Sequence, residues 1–145
     1  MSHHPSPPCP YLSIIIPAYN DADALQAFLP EVFAFTQTLR APVVDTSSTE
    51  QNSKITIATC EIIIVDDGSR DHSIDVVTRL MINRPSNTEL TIIRLSRNFG
   101  KEAGLLAGLE AADGDFITVM DADLQDPPEL LIDMYQKINE GYDVV

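Results

Sequence analysis

The chain has no tryptophan, only two cysteines, and nine lysines and arginines against 22 acidic residues. Each shortage excludes something. Cys9 and Cys60 are too few and too far apart for a disulfide framework or a zinc site, which leaves free thiols of a reducing compartment. The formal net charge of -13 argues against nucleic acid as a partner, because a phosphate backbone is held by clustered Lys and Arg. It favours cations. No stretch approaches the roughly 18 to 20 apolar residues that span a bilayer, so no transmembrane segment is expected and the chain reads as cytoplasmic. The opening "MSHHPSPPCP" lacks the basic start and apolar core of a secretory signal. Residues 1–10 are expected to be a disordered leader, and residues 11–145 fit a single domain.

What is present is a regular alternation. "LSIIIPAY" (Leu12 to Tyr19), "EIIIV" (Glu61 to Val65), "LTIIRLS" (Leu90 to Ser96) and "FITVM" (Phe116 to Met120) are short apolar runs that suit strands buried on both faces. Between them lie helical patterns. "ALQAFLPEVFAFTQTLR" predicts a helix capped by Asp21 or Asp23, with Pro30 kinking or splitting it. "IDVVTRLMI" predicts a second, capped by Ser69 or Asp71, and "GKEAGLLAGLEAADGD" a third, closed by Gly114. "PPELLIDMYQKINEG" predicts a fourth helix and "YDVV" a fifth strand. Residues 41–59, polar and rich in Ser and Thr, form a surface loop or a short added hairpin.

Strand–helix alternation implies an α/β fold with a parallel sheet covered on both faces and joined by right-handed crossovers. Ligands in such folds bind beyond the carboxyl ends of the strands. Tyr19 to Asp21, Asp66 to Ser69, Arg97 to Lys101 and Asp121 to Gln125 all follow predicted strands. In an extended "MDADLQ", Asp121, Asp123 and Gln125 point to one side. Oxygen donors without Cys or His suit a hard cation such as Mg²⁺, Mn²⁺ or Ca²⁺, and so few of them require substrate phosphate or water to complete the shell. That points to a diphosphate. Taken alone, the D-x-D is more readily a turn with helix caps than a metal site, and Asp67, which can bond a base or ribose, stands beside Gly68 and Ser69, which alone would make an ordinary tight turn.

Four ordered segments, "SIIIPAYND", "EIIIVDDGSRD", "RNFGKEAGLLAGLEAADGD" and "MDADLQDPPELL", resemble the successive motifs of the inverting family 2 glycosyltransferases. They are most similar to the branch that includes dolichol-phosphate mannosyltransferase and the bactoprenol (undecaprenyl-phosphate) glucosyltransferases. The resemblance implies a GT-A (Rossmann-like) fold and transfer of a hexose from a UDP- or GDP-sugar to a polyprenyl phosphate at a membrane surface, with inversion and with Mg²⁺ or Mn²⁺. It implies that Pro17, Tyr19 and Asp67 cradle base and ribose, and that Asp21 stands where the family usually has Glu, with the same charge and a shorter reach. It gives Asp121, Asp123 and Gln125 the metal and the donor diphosphate. Asn98 and Lys101, or Arg97, lie at a helix start where anions are stabilised.

In the family, the groups that hold the acceptor come after the region matched here, so the chain reads as the donor-binding part, truncated at its C-terminus. Three alternatives follow: a donor-binding fragment without turnover, a transferase with a hydroxyl acceptor and, more remotely, a phospho-acceptor receiver domain. Self-association is left open. Gly104 and Gly108, four apart on one helix, are expected to let that helix close onto the sheet.

Overall fold

The computed structural model describes residues 10–43 and 54–122, together with Asp133 and Lys137, both helical. In chain order the elements are β1 (Leu12–Ala18), α1 (Ala22–Thr38), β2 (Arg40–Val43), β3 (Lys54–Ile57), β4 (Cys60–Asp66), α2 (Ser73–Leu80), β5 (Thr88–Arg94), α3 (Lys101–Ala111) and β6 (Phe116–Val119), with a single 3₁₀ turn at Met81–Asn83 after α2. The expected fifth strand, and all of the expected fourth helix except those two positions, lie outside the described residues.

Four strands form a parallel sheet in the order β5-β4-β1-β6. Its centre is the pair β1 and β4, in register from Leu12 with Cys60 to Ala18 with Asp66. Both strands are buried nearly throughout, which is why neither alternates in polarity. Ile14, Ile16, Ile62 and Ile64 join Leu25, Leu29, Val32 and Val77 in one core beneath α1 and α2. Ile15, Ile63 and Val65 form a smaller core on the opposite face, against Ala107 and Ala111 of α3. The expected helices on both faces are therefore there, two below and one above.

Pro30 lies inside α1 without splitting it. The ring costs one backbone hydrogen bond, about 3 kcal/mol in a free helix, and buried Leu25, Phe28, Leu29, Val32 and Phe33 hold both halves on the sheet at roughly 1.5–3 kcal/mol each. Residues 40–57 contain an antiparallel pair, β2 with β3, so the hairpin is the correct one of the two expectations for the polar segment.

Two helix ends differ from expectation. α2 begins at Ser73 with His72 at its N-cap, because the Asp71 carboxylate accepts hydrogen bonds from the Ser73 amide at 2.9 Å and from the Ala22 amide at 3.2 Å. Asp71 thereby ties the starts of α2 and α1 together instead of capping either. α3 ends when Ala112 turns extended, before Gly114, whose N–H donates to the Ser13 hydroxyl at 2.8 Å.

Of the two glycines on α3, Gly108 is the close approach. A Cβ there would stand 2.5 Å from Ile15 Cγ2, whereas one at Gly104 would meet Val65 at an ordinary 3.6 Å.

Candidate functional site

Because all four strands of the main sheet run the same way, their carboxyl ends deliver four connections to one edge. Beyond that edge lies a cleft of roughly 380 Å³ floored by Ala18, Val65 and Gly104. β1 supplies Pro17 near its carboxyl end, and Tyr19 and Asp21 come from the segment that follows. Asp67 comes from the end of β4, Asn98 and Lys101 from the connection into α3, and Asp121 from the end of β6. Pro17, Tyr19, Asp21, Asp67, Asn98, Lys101 and Asp121, marked in the sequence as site residues, all line this one cleft, whereas Arg97, the alternative to Lys101, does not. Asp123 and Gln125 lie outside the described residues.

Asp67 is buried, and its two oxygens accept hydrogen bonds from the amides of Phe99 at 2.8 Å and Gly100 at 3.0 Å. The carboxylate thus fastens the β5–α3 connection to the end of β4. An ionised carboxylate has about four acceptor positions, so two remain after this task. Asn98 Oδ1 accepts from the same Gly100 amide at 3.0 Å, which folds the turn that opens α3.

Lys101, largely exposed, forms an ion pair with Asp121, whose side chain is only 15% exposed. The pair bridges the start of α3 and the end of β6 across the cleft mouth. Arg97 takes a different place: its guanidinium lies 4.6 Å from the centroid of the Phe99 ring, a cation–π distance, and it faces a neighbouring cleft.

Asn20, Arg70 and Ser73, given no role of their own in the sequence, help to build the site. Asn20 has φ 52, a left-handed conformation that Asn tolerates better than most residues, and this frees its groups to bridge. Its amide donates to Ser69 Oγ at 2.8 Å and its Oδ1 accepts from the Arg70 amide at 2.9 Å. The Asp21 amide donates to Ser73 Oγ at 3.0 Å, while its carboxylate accepts from the Tyr19 amide at 3.1 Å and makes no cap bond to α1. Polar residues after two successive strands were the available signal; only the parallel pairing of β1 and β4 brings them together. Asp66 is fully buried, with one oxygen accepting from the Ser69 amide at 3.1 Å and the other without a partner among the described residues.

Burial pulls the Asp71 carboxyl upward, and hydrogen bonds from the Ser73 hydroxyl, the Ser73 amide and the Ala22 amide outweigh it, so its pKa lies below the usual value. Burial pushes the Cys60 thiol up to about 12.

Residues 13–145 match the model of glycosyl transferase family 2. The chain belongs to that family. This family member is 42% identical over 134 residues to an uncharacterized glycosyltransferase of Synechocystis, matching 92% of this chain and 36% of the relative. It is 34% identical over 138 residues to the undecaprenyl-phosphate 4-deoxy-4-formamido-L-arabinose transferase of Serratia proteamaculans, again 36% of the relative's length. The chain thus spans little more than a third of these curated relatives.

Among solved structures it resembles Staphylococcus aureus TarS residues 1–349, with a TM-score of 0.63 at 23% identity over 90% of this chain and 32% of that one. It also resembles the mannosyltransferase PcManGT of Pyrobaculum calidifontis, solved with GDP-Man and Mn²⁺, with a TM-score of 0.58 at 23% identity over 79% and 28%. The fold is the expected GT-A type. Family membership removes the receiver-domain alternative.

Proposed function

We propose that the chain is the donor-binding part of an inverting glycosyltransferase that moves a hexose from a UDP- or GDP-sugar to a dolichyl or undecaprenyl phosphate. The observation that carries this is the single cleft uniting Pro17, Tyr19, Asp21, Asp67, Asn98, Lys101 and Asp121. The name of the Serratia relative supports the lipid-phosphate acceptor. The GDP-Man and Mn²⁺ bound in the Pyrobaculum structure support the donor class and the metal.

Pro17, Tyr19 and Asp67 hold the base and ribose, with Asp21 beside them. The diphosphate lies at the other end, between Asn98, Lys101 and Asp121. Asp121 is largely enclosed and already engages a cationic partner, and with Asp123 and Gln125 it offers only oxygen donors, so the residues fit Mg²⁺ or Mn²⁺. The metal, when bound, supplies Lewis acidity that offsets charge on the departing nucleoside diphosphate. Lys101 adds a positive charge at the same end. The acceptor phosphate is largely ionised at neutral pH, its second pKa being about 6, and needs no strong general base. A lipid acceptor puts the reaction at the cytoplasmic face of a membrane. Among the described residues no helix is long and apolar enough to cross one.

Thermal unfolding with UDP, UDP-glucose, GDP or GDP-mannose, each with and without Mn²⁺, tests the reading, since a ligand that binds only the folded state raises its stability. A rise that needs one nucleotide and metal together is expected and identifies the base. No rise with any pair overturns donor binding by this chain.

A further inference from the structure

A second cleft, of roughly 480 Å³, opens beside the first and shares Tyr19 and Asn98 with it. Its volume falls within the range of about 300–1,000 Å³ usual for small-molecule sites. Arg70 from the β4–α2 turn, Arg94 from the end of β5 and Arg97 from the β5–α3 connection line it, and no Asp or Glu does.

That composition is unexpected for this chain. The chain has 22 acidic residues to nine basic ones, yet among the described residues none of its six arginines has a carboxylate oxygen within 4.0 Å; what distinguishes this cleft is that three of the six line it together with no acid among them. Arg94 is in strand register with Asp66, yet Asp66 takes its hydrogen bond from the Ser69 amide instead. Exposed as they are, the three charges cost the fold little, and together they give the cleft a positive potential that favours an anion.

The walls are also fixed in advance. Gly68, at φ +77, lies so close to Arg97 that a Cβ would stand 2.6 Å from its carbonyl carbon. Asn20 links the turn carrying Arg70 to the end of β1 through Ser69 Oγ and the Arg70 amide, and Asp67 pins the loop after Arg97. The segments bearing Arg70, Arg97 and Tyr19 are therefore held together by the close Gly68–Arg97 backbone contact and by hydrogen bonds from backbone amides to the side chains of Ser69, Asn20 and Asp67. Guanidinium groups present paired N–H donors that match phosphate oxygens, and Ser96 and Tyr19 are among the residues of the same lining.

We propose that this arginine-lined cleft is a second anion site that takes a phosphate ester, separate from the diphosphate position at Asp121 and Lys101. Its position against Tyr19 places bound phosphate next to the donor cleft. The phosphate belongs either to a prenyl phosphate headgroup or to a soluble phosphate. The site does not depend on the donor assignment, because it needs neither nucleotide nor metal.

Calorimetric titration of the whole chain tests this, using inorganic phosphate and geranyl phosphate, with no metal or nucleotide and at 0.15 M salt. Wild type is expected to bind phosphate, and Arg70→Gln/Arg94→Gln/Arg97→Gln to lose at least about tenfold in affinity. Arg79→Gln/Arg84→Gln removes charge elsewhere and is expected to bind nearly as wild type, since salt screens distant charges. Geranyl phosphate binding about tenfold tighter than phosphate assigns the site to a lipid headgroup, and equal affinities assign it to a soluble phosphate. No binding of either ligand at millimolar concentration, or equal affinities of wild type and the triple variant, overturns the site. The variants' thermal unfolding, unchanged because all three side chains are exposed, verifies that they fold.

Discussion

Gly68 and Arg97 lie backbone against backbone: a Cβ on Gly68 would stand 2.6 Å from the Arg97 carbonyl carbon and 2.8 Å from the Asn98 nitrogen. Neither neighbour is the yielding end of a flexible side chain, and φ +77 is itself unfavourable for an L residue. Gly68→Ala is expected to destabilise the chain by about 2 kcal/mol or more. Denaturant unfolding that matches wild type would show that the two loops are free to part.

The two glycines of α3 are expected to respond in opposite directions. Gly104→Ala meets only an ordinary contact at 3.6 Å and gains helix propensity, so stability should hold or rise by up to about 1 kcal/mol. Gly108→Ala drives a methyl to within 2.5 Å of Ile15 and should cost about 1–3 kcal/mol. Equal melting temperatures for the two variants would contradict the packing of α3 on β1.

Asp67→Asn keeps the side chain's size but replaces an acceptor oxygen with an N–H₂ facing the amide of Phe99 or Gly100. An expected loss of about 1–3 kcal/mol follows from the unsatisfied group. Nucleotide affinity measured without metal should fall as well. If stability drops while that affinity is unchanged, Asp67 shapes the loop and does not touch the donor.

Lys101→Met removes an ion pair whose lysine is largely exposed, so ligand-free stability should change by less than about 1 kcal/mol. Nucleotide affinity should fall. Asp123→Asn is expected to abolish the metal-dependent part of nucleotide binding, and retention of that part in a titration with Mn²⁺ would remove Asp123 from the metal.

Cys60 is buried and its thiol is raised from 9.0 to about 12. Above pH 9 the unfolded chain gives up this proton while the folded chain keeps it. The contribution is therefore complete below pH 9 and declines between pH 9 and 12 by about 1.4 kcal/mol per unit. In a Cys9→Ser background, subtracting the pH profile of Cys60→Ala should isolate that slope, and a thiol reagent at pH 8 should label Cys60 only after denaturation.

The order of strands and helices was legible in the sequence because each element of the main sheet carries its own signal. Runs such as "SIIIPA" and "EIIIV" are apolar on both faces, and only a doubly covered parallel sheet buries them. Tyr19, Asp67 and Asp121 were likewise legible, as residues that follow strands, and Pro17, inside β1, through the family resemblance. The ends of α2 and α3 were not. Asp71 has the chemistry of a cap, and it bonds instead across to the start of α1, a partner brought near only by the pairing of β1 with β4.

By itself, then, the sequence determined the α/β alternation, the acidic strand ends and the family, all of which rest on local periodicity and on residues close in the chain. The tertiary structure alone decided that Asp67 clasps the β5–α3 connection, that Lys101 meets Asp121, and that Arg70, Arg94 and Arg97 share one cleft. Each of these relationships brings together segments 20 or more residues apart. They follow from strand order and register, because side chains beyond a sheet's edge meet according to which strands are neighbours and not according to their distance along the chain.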